Sequence, residues 1–330
     1  MKARTVRKSL SILIILSFIV IAFLLYIYNG LQKIHRVEIP QNYEELGIKP
    51  QAQAHVTTGI RNIALFGIDI GRDPNDPPHS DSIIIVTIDS DRNKLKFTSI
   101  LRDSYVEVEG HKKTKITEAY TYGGPALAIK TLNQNFNLDI KDYITVDFFG
   151  LAKIIDSLGG INIDVQEKEI KEINKWSKEL YELKKMNPVY IKDSGLQKLN
   201  GIQAVAYCRI RKIGAGEFDR TRRQRQVLNA LISNIKEKGL TRLPSLIWEI
   251  TPYMETNIAT RDMLTTGTSI LISSMDNIEQ MRFPLDGYCK GDFITGVWYL
   301  TLQPDIETTA LQIYDYIYKD IKPESREPLF

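Results

Sequence analysis

The sequence predicts a three-layer α/β/α sandwich around a central mixed sheet, preceded by one N-terminal transmembrane helix. Three observations predict it. Three strand-like runs follow one another from Arg61 to Asp103, helical and strand-like segments alternate through the rest of the chain, and an apolar run from Leu10 to Tyr28 carries no charge.

The apolar run, LSILIILSFIVIAFLLYIY, is long enough at roughly 1.5 Å per residue to span a hydrocarbon core near 30 Å. A cleaved signal peptide would need a small-residue site behind it, and none follows. Lys2, Arg4, Arg7 and Lys8 precede the run and only Lys33 and Arg36 lie close behind it. The positive-inside rule therefore predicts a cytoplasmic N-terminus and a body outside the membrane. These six bases, with no acid among them, carry +6 in a 330-residue chain whose net charge is +3, so the remainder is −3. The basic excess belongs to the anchor and does not argue for nucleic acid. A hydrophobic fraction of 43% with 25% charged residues excludes a disordered or fibrous chain. Cys208 and Cys289 are too few for a disulfide framework and admit either one bridge or two unpaired thiols. The expected boundaries are a tail at 1–9, the anchor at 10–28, a stalk at 29–58, a folded body at 59–320 and a tail at 321–330.

The stalk reading rests on residues 37–58, which are polar, hold two prolines and lack clean periodicity. RNIALFGID, SIIIVTIDS and KLKFTSILRD then read as strands whose ends gather polar groups. EAYTYGGPALAIKTLNQNF has helical apolar spacing, and VDFFGLAKIIDSLGG ends in a glycine pair suited to a helix C-cap. INIDV reads as a strand. Residues 167–187 read as an amphipathic surface helix with Ile170, Ile173, Trp176, Leu180 and Leu183 on one stripe. GLQKLNGIQAVAYCRIRK reads as a short helix entering a strand that ends at Arg209 and Arg211. A long helix over TRRQRQVLNALISNIKEKG and a final one over IETTALQIYDYIYKD complete the order.

Chemistry-bearing residues cluster in this pattern. Asp69 ends the first strand and Asp81 follows twelve residues later, a spacing that suits two carboxylates sharing a hard divalent cation or two turn-capping aspartates. Arg102-Asp103 ends the third strand, where the guanidinium suits a phosphate and the carboxylate suits a base. Lys115 to Gly124 carries glycines that permit close backbone approach. Arg209 and Arg211, two apart on the expected strand, share a face, as do Arg220 and Gln224, four apart on the next helix. Glu217 stands at that helix's start, and Arg222 and Arg223 read as its solvated side. Residues 209–225 hold seven bases and two acids inside a net-negative body. A pyrophosphate would partner such charge.

The order GID, SDS, SILRD, KITEAYTYGG, YCRIRK and EFDRTRRQRQ resembles the LytR-CpsA-Psr family of bacterial cell-envelope phosphotransferases from about Asn62 to Asp320. The resemblance implies an α/β/α catalytic domain with a hydrophobic pocket for a polyprenyl chain, in a Gram-positive-type envelope. It implies transfer of an anionic glycopolymer, such as teichoic acid or capsule, from undecaprenyl pyrophosphate to peptidoglycan, with Mg²⁺ or Mn²⁺. It matches Asp69 and Asp81 to metal carboxylates, Arg102, Arg209, Arg211, Arg220 and Gln224 to pyrophosphate contacts, and Asp103 to the acid beside the strand arginine. His79 stands where the family usually has arginine, which makes that phosphate contact absent or pH-dependent. Leu101 replaces a proline, and Glu217 replaces an aspartate as a supporting acid of longer reach. Phe148, Phe149, Leu151, Ile154, Ile155 and Leu158 suit a lipid slot or ordinary core. The rival readings are a polyprenyl-pyrophosphate hydrolase, a binding-only envelope regulator and, against the expected topology, a nucleic-acid-binding transcriptional attenuator.

Overall fold

The computed structural model describes residues 2–53, 59–69, 77–239, 242–272 and 278–329. The last part of the expected stalk, 54–58, lies outside them. Helix α1 (Lys2–Leu31) contains the apolar run, and its Ile14–Leu31 stretch is long and apolar enough to cross a membrane. Strand β1 (His35–Arg36) and the short helix α2 (Pro50–Gln53) follow, then β2 (Ile60–Asp69), β3 (His79–Asp89) and β4 (Lys94–Ile100). A small hairpin, β5 (Tyr105–Val106) and β6 (Thr114–Lys115), leads to α3 (Glu118–Phe136), β7 (Asp142–Asp147) and α4 (Phe148–Ser157). Next come β8 (Ile161–Val165), α5 (Glu167–Leu183), β9 (Gly195–Leu199), α6 (Gly201–Cys208), α7 (Glu217–Lys238) and α8 (Leu243–Ile250). The chain closes with β10 (Glu255–Thr256), α9 (Thr260–Ile272), β11 (Ile278–Phe283), a hairpin of β12 (Cys289–Ile294) and β13 (Val297–Leu302), and α10 (Ile306–Tyr318).

The central sheet has the order β1-β10-β7-β2-β3-β4-β11. It is mixed, with β2 antiparallel to β3 and parallel to β7, and β4 antiparallel to β3 and parallel to β11. Alternation along the strands feeds two cores. Ala64, Phe66, Ile83, Ile85 and Ile100 face Ile129, Leu132, Ile313 and Ile317 of α3 and α10. Ile63, Ile84, Ile88, Leu95 and Phe97 face the other way, toward Leu228 and Ile232 of α7 and Met263 and Ile270 of α9. Burial on both faces explains why β3 reads as an unbroken apolar run. The three-layer expectation holds.

Three local readings change. Arg209 and Arg211 do not lie on a strand. Asn200 and Gln203 form a reciprocal capping box that starts α6, the helix ends at Cys208 with Arg209 as its C-cap, and Gly214 and Gly216 at φ +76° and +60° turn the chain into α7. The strand-like alternation arises because Ile210 is fully buried between the two arginines. GLQKL, expected as helix, is β9 paired with β8. The segment expected as a stalk is folded onto the body: Ile39, Leu46, Ile48 and Ala52 enter the largest core, and Asn133 Nδ2 donates to the Leu46 carbonyl at 2.8 Å. Cys208 and Cys289 are both free and buried.

Candidate active site

Antiparallel pairing decides where the polar groups gather. Since β2 runs against β3 and β3 against β4, the end of β2, the start of β3 and the end of β4 share one edge of the sheet. Asp69 stands opposite His79 in register, and Asp81 comes beside Arg102 and Asp103 just past β4. The turn after α6 adds Arg209 and Arg211, α7 adds Arg220, and α5 adds Trp176. Together these side chains line a cavity of about 300 Å³ with Lys115, Thr117 and Glu118.

Asp81 is its electrostatic centre. One carboxylate oxygen is in a short contact with Arg102 Nη1, and the other lies 3.5 Å from both Arg211 Nη2 and Arg220 Nη1. Arg220 Nη2 also donates to the Asp81 carbonyl at 2.9 Å. Burial works against the Asp81 charge, but the three guanidiniums outweigh it and hold the carboxyl below its ordinary value. Burial likewise opposes the charge on Arg102, yet Asp81, Asp103 and Glu217 raise its guanidinium above the usual value. Arg220 is 2% exposed, and burial pulls its pKa down to about 10 in spite of Glu217 at 2.7 Å, which leaves it charged at neutral pH. Glu217 Oε1 lies 3.0 Å from Arg211 Nε, so this acid braces the arginines from behind. Asp103 is buried, 2.8 Å from Lys115 Nζ and 3.6 Å from Arg102 Nε.

Arg209 is held differently. Its guanidinium lies 4.4 Å from the Trp176 ring and 5.4 Å from Phe148, with Glu179 Oε1 at 3.3 Å from Nη2. Arg209 Nη1 and Arg220 Nε are buried without a hydrogen-bond acceptor among the described residues. Unused buried donors on the cavity's arginines are what an added anion would satisfy.

The structure brings Asp69, His79, Asp81, Arg102, Asp103, Arg209, Arg211 and Arg220 to one cavity, with Glu217 bonded to its arginines. Gln224 is half-buried one turn further along α7 and does not line it. His79 Nδ1 sits 2.9 Å from Thr121 Oγ1 and 3.8 Å from Glu118 Oε1. Arg223, expected on a solvated side, is instead 1% exposed, and its Nε donates to Glu169 at 2.8 Å. Trp176 lines the cavity although in sequence it reads as one position of an amphipathic stripe, and Lys115, the first residue of the glycine-bearing cluster, lines it with its own side chain. Phe148, Ile154, Ile155 and Leu158 are buried in the apolar clusters formed with α5 and α6 or beside them.

Two carboxylates on one cavity, Asp69 and Asp81, are a donor set suited to a hard cation completed by phosphate oxygens and water. Among the described residues no group of three or more His, Cys, Asp or Glu is poised around a metal position. Counting Glu217, five acids (Asp69, Asp81, Asp103, Glu118, Glu217) face five bases (Arg102, Lys115, Arg209, Arg211, Arg220). The basic concentration seen in sequence is therefore locally neutralised.

A model of the LytR_cpsA_psr family matches residues 21–313. The chain is 32% identical over 244 residues to the regulatory protein MsrR of Staphylococcus aureus, covering 73% of this chain and 70% of that one. It is 30% identical over 241 residues to the polyisoprenyl-teichoic acid–peptidoglycan teichoic acid transferase TagU of Bacillus cereus, covering 72% of each. Its fold superposes on the LytR-CPS2A-psr family protein YwtF (TagT) with bound octaprenyl pyrophosphate lipid at a TM-score of 0.60 and 24% identity, covering 78% of this chain and 90% of that one.

Proposed function

The chain belongs to the LytR-CpsA-Psr family, and from that premise we propose that it is a membrane-anchored phosphotransferase that moves an anionic glycopolymer from a polyprenyl-pyrophosphate carrier, undecaprenyl in chemistry, to peptidoglycan. The observation that carries this reading is the arginine cage around Asp81 with Arg209 beside it, in which Arg102 Nε, Arg209 Nη1 and Arg220 Nε are buried without a hydrogen-bond acceptor among the described residues. TagU is a teichoic acid transferase, and YwtF (TagT) carries bound octaprenyl pyrophosphate. Both support the assignment.

Each residue has a role that follows from its surroundings. Arg209, Arg211 and Arg220 bind and orient the two phosphates, exchanging acidic partners for phosphate oxygens. Arg102 neutralises charge that builds on the equatorial oxygens as the carrier phosphate leaves. Asp103, kept in place by Lys115, accepts the proton of the attacking hydroxyl. A diphosphate entering a neutral cavity adds two or more negative charges, and Mg²⁺ or Mn²⁺ held by Asp69 and Asp81 would supply the counter-charge. Trp176 and Phe148 make the Arg209 side of the cavity the apolar side, suited to the start of a lipid tail.

The arginine-rich helix argues against a nucleic-acid role. Arg220, Arg223 and Arg225 point into the protein, at 2%, 1% and 8% exposure, and so do not form a basic stripe for phosphates of DNA. The test is a transfer assay with the full chain in detergent, a lipid-pyrophosphate glycopolymer analogue, Mg²⁺ and peptidoglycan fragments. Wild type should form the linkage, and Arg209→Ala and Asp81→Asn should slow it at least a hundredfold, since removal of one charge-stabilising group typically costs ~10²–10³ in rate. Polymer phosphate released into water without linkage would identify a hydrolase instead, and variants as active as wild type would defeat the assignment.

A further inference from the structure

Next to the cavity, beside Lys115, lies an aromatic surface that the phosphate chemistry leaves unused. Strand β13 is joined to the site by its backbone: the Leu300 amide donates to the Asp103 carbonyl at 2.9 Å. That bond sets Tyr299 and Trp298 beside Lys115, whose ammonium is 5.9 Å from each ring. Tyr299 packs on Tyr105 of the β5–β6 hairpin with ring centres 4.7 Å apart. Tyr122 continues the surface from the first part of α3, stacked on His111 at 4.1 Å and 14°, and it remains 45% exposed. Burial, Glu118 and Tyr299 all raise the Tyr122 hydroxyl pKa, so it stays a neutral donor.

The surface has the chemistry of a saccharide subsite. Aromatic faces take the apolar C–H faces of pyranose rings, while phenol hydroxyls and ammonium groups at their edges meet sugar hydroxyls and amides. Its place distinguishes the acceptor from the donor. Trp176 stacks on Arg209, one of the diphosphate-binding arginines, whereas Lys115 connects the aromatic surface to Asp103. A sugar stacked on Tyr299 would lie beside Lys115, which pairs with that carboxylate.

We propose that Tyr122, Tyr299 and Tyr105, with Trp298 and Lys115 at the edge, form the acceptor subsite that binds a sugar ring of the peptidoglycan glycan strand. The proposal rests on the transferase reading for its choice of acceptor, and a binding measurement separates the two. The full chain in detergent is titrated calorimetrically, without donor, with an N-acetylhexosamine oligosaccharide cut from peptidoglycan, and in parallel with the lipid-pyrophosphate analogue. Tyr122→Ala and Tyr299→Ala should each weaken oligosaccharide affinity about tenfold, the Phe variants should bind within about twofold of wild type, and affinity for the lipid analogue should not change. Tyr122, packed at the surface, serves as the variant whose fold is least disturbed, and its melting temperature checks that. Absence of oligosaccharide binding by wild type, alanine variants that bind like wild type, or an equal loss for the lipid analogue would each overturn the subsite. Oligosaccharide binding with this pattern in a protein that transfers nothing would leave the subsite standing and remove the transferase reading.

Discussion

Asp81 shows how one side chain can serve both stability and chemistry. Its carboxyl is buried, three guanidiniums surround it, and they hold its pKa below the ordinary carboxylate value. A carboxyl with a lowered folded-state pKa contributes stability that is complete above its unfolded value and is lost as pH falls through the folded value. Wild type should therefore melt at a constant temperature from neutral pH down to about 4 on this account, then lose stability below it. Asp81→Asn should lower stability at neutral pH by about 3 kcal/mol, because it leaves buried guanidiniums short of a counter-charge. It should also flatten the acid limb. Thermal melts of both proteins across pH 3 to 7 measure it, and an unchanged acid limb in the variant would assign that limb to other carboxylates.

The elements were legible to different depths. β2, β3 and β4 could be read because apolar runs fill them, unbroken and β-branched from Ile83 to Ile88 of β3, and polar residues mark their ends. The co-location of Asp69, Asp81, Arg102 and Asp103 followed from three consecutive strands with polar ends. The turn carrying Arg209 and Arg211 was not legible, because a buried Ile210 between two arginines imitates strand alternation whatever the backbone does. Trp176 could not be separated from an ordinary amphipathic stripe, since the stacking partner, Arg209, is distant in sequence. Gly201 gives an element-scale prediction. A Cβ there would sit 1.9 Å from the Ala152 carbonyl, so α4 and α6 touch backbone to backbone. Gly201→Ala should force the helices apart and cost about 2–3 kcal/mol in denaturant unfolding, as overpacking of a tight contact does. A loss below about 0.5 kcal/mol would mean that the contact relaxes freely.

At the scale of the molecule, the six bases of the first 36 residues predict a body outside the membrane. Leu196 on β9 is 76% exposed, whereas Cys208 and Cys289 are 6% and 1% exposed, and burial lifts their thiols to about 12 and about 11. Leu196→Cys should thus be the one position that a membrane-impermeant maleimide labels on intact cells. Labelling that appears only after lysis would reverse the topology. The junction between helix and body has a further meaning. Gly30 leaves room for Trp248, which donates through Nε1 to the Tyr26 carbonyl at 2.9 Å and stacks on the Tyr26 ring, while Thr251 Oγ1 donates to the Gly30 carbonyl. α1 thus ends against α8 with no free linker between them, and α8 packs in turn on α4, the helix that carries Phe148 beneath Arg209. In a thinner bilayer a helix of fixed length must lean. With no swivel at its end, a lean of α1 under the proposed anchoring would pass to the body as rotation and turn the cavity mouth with it.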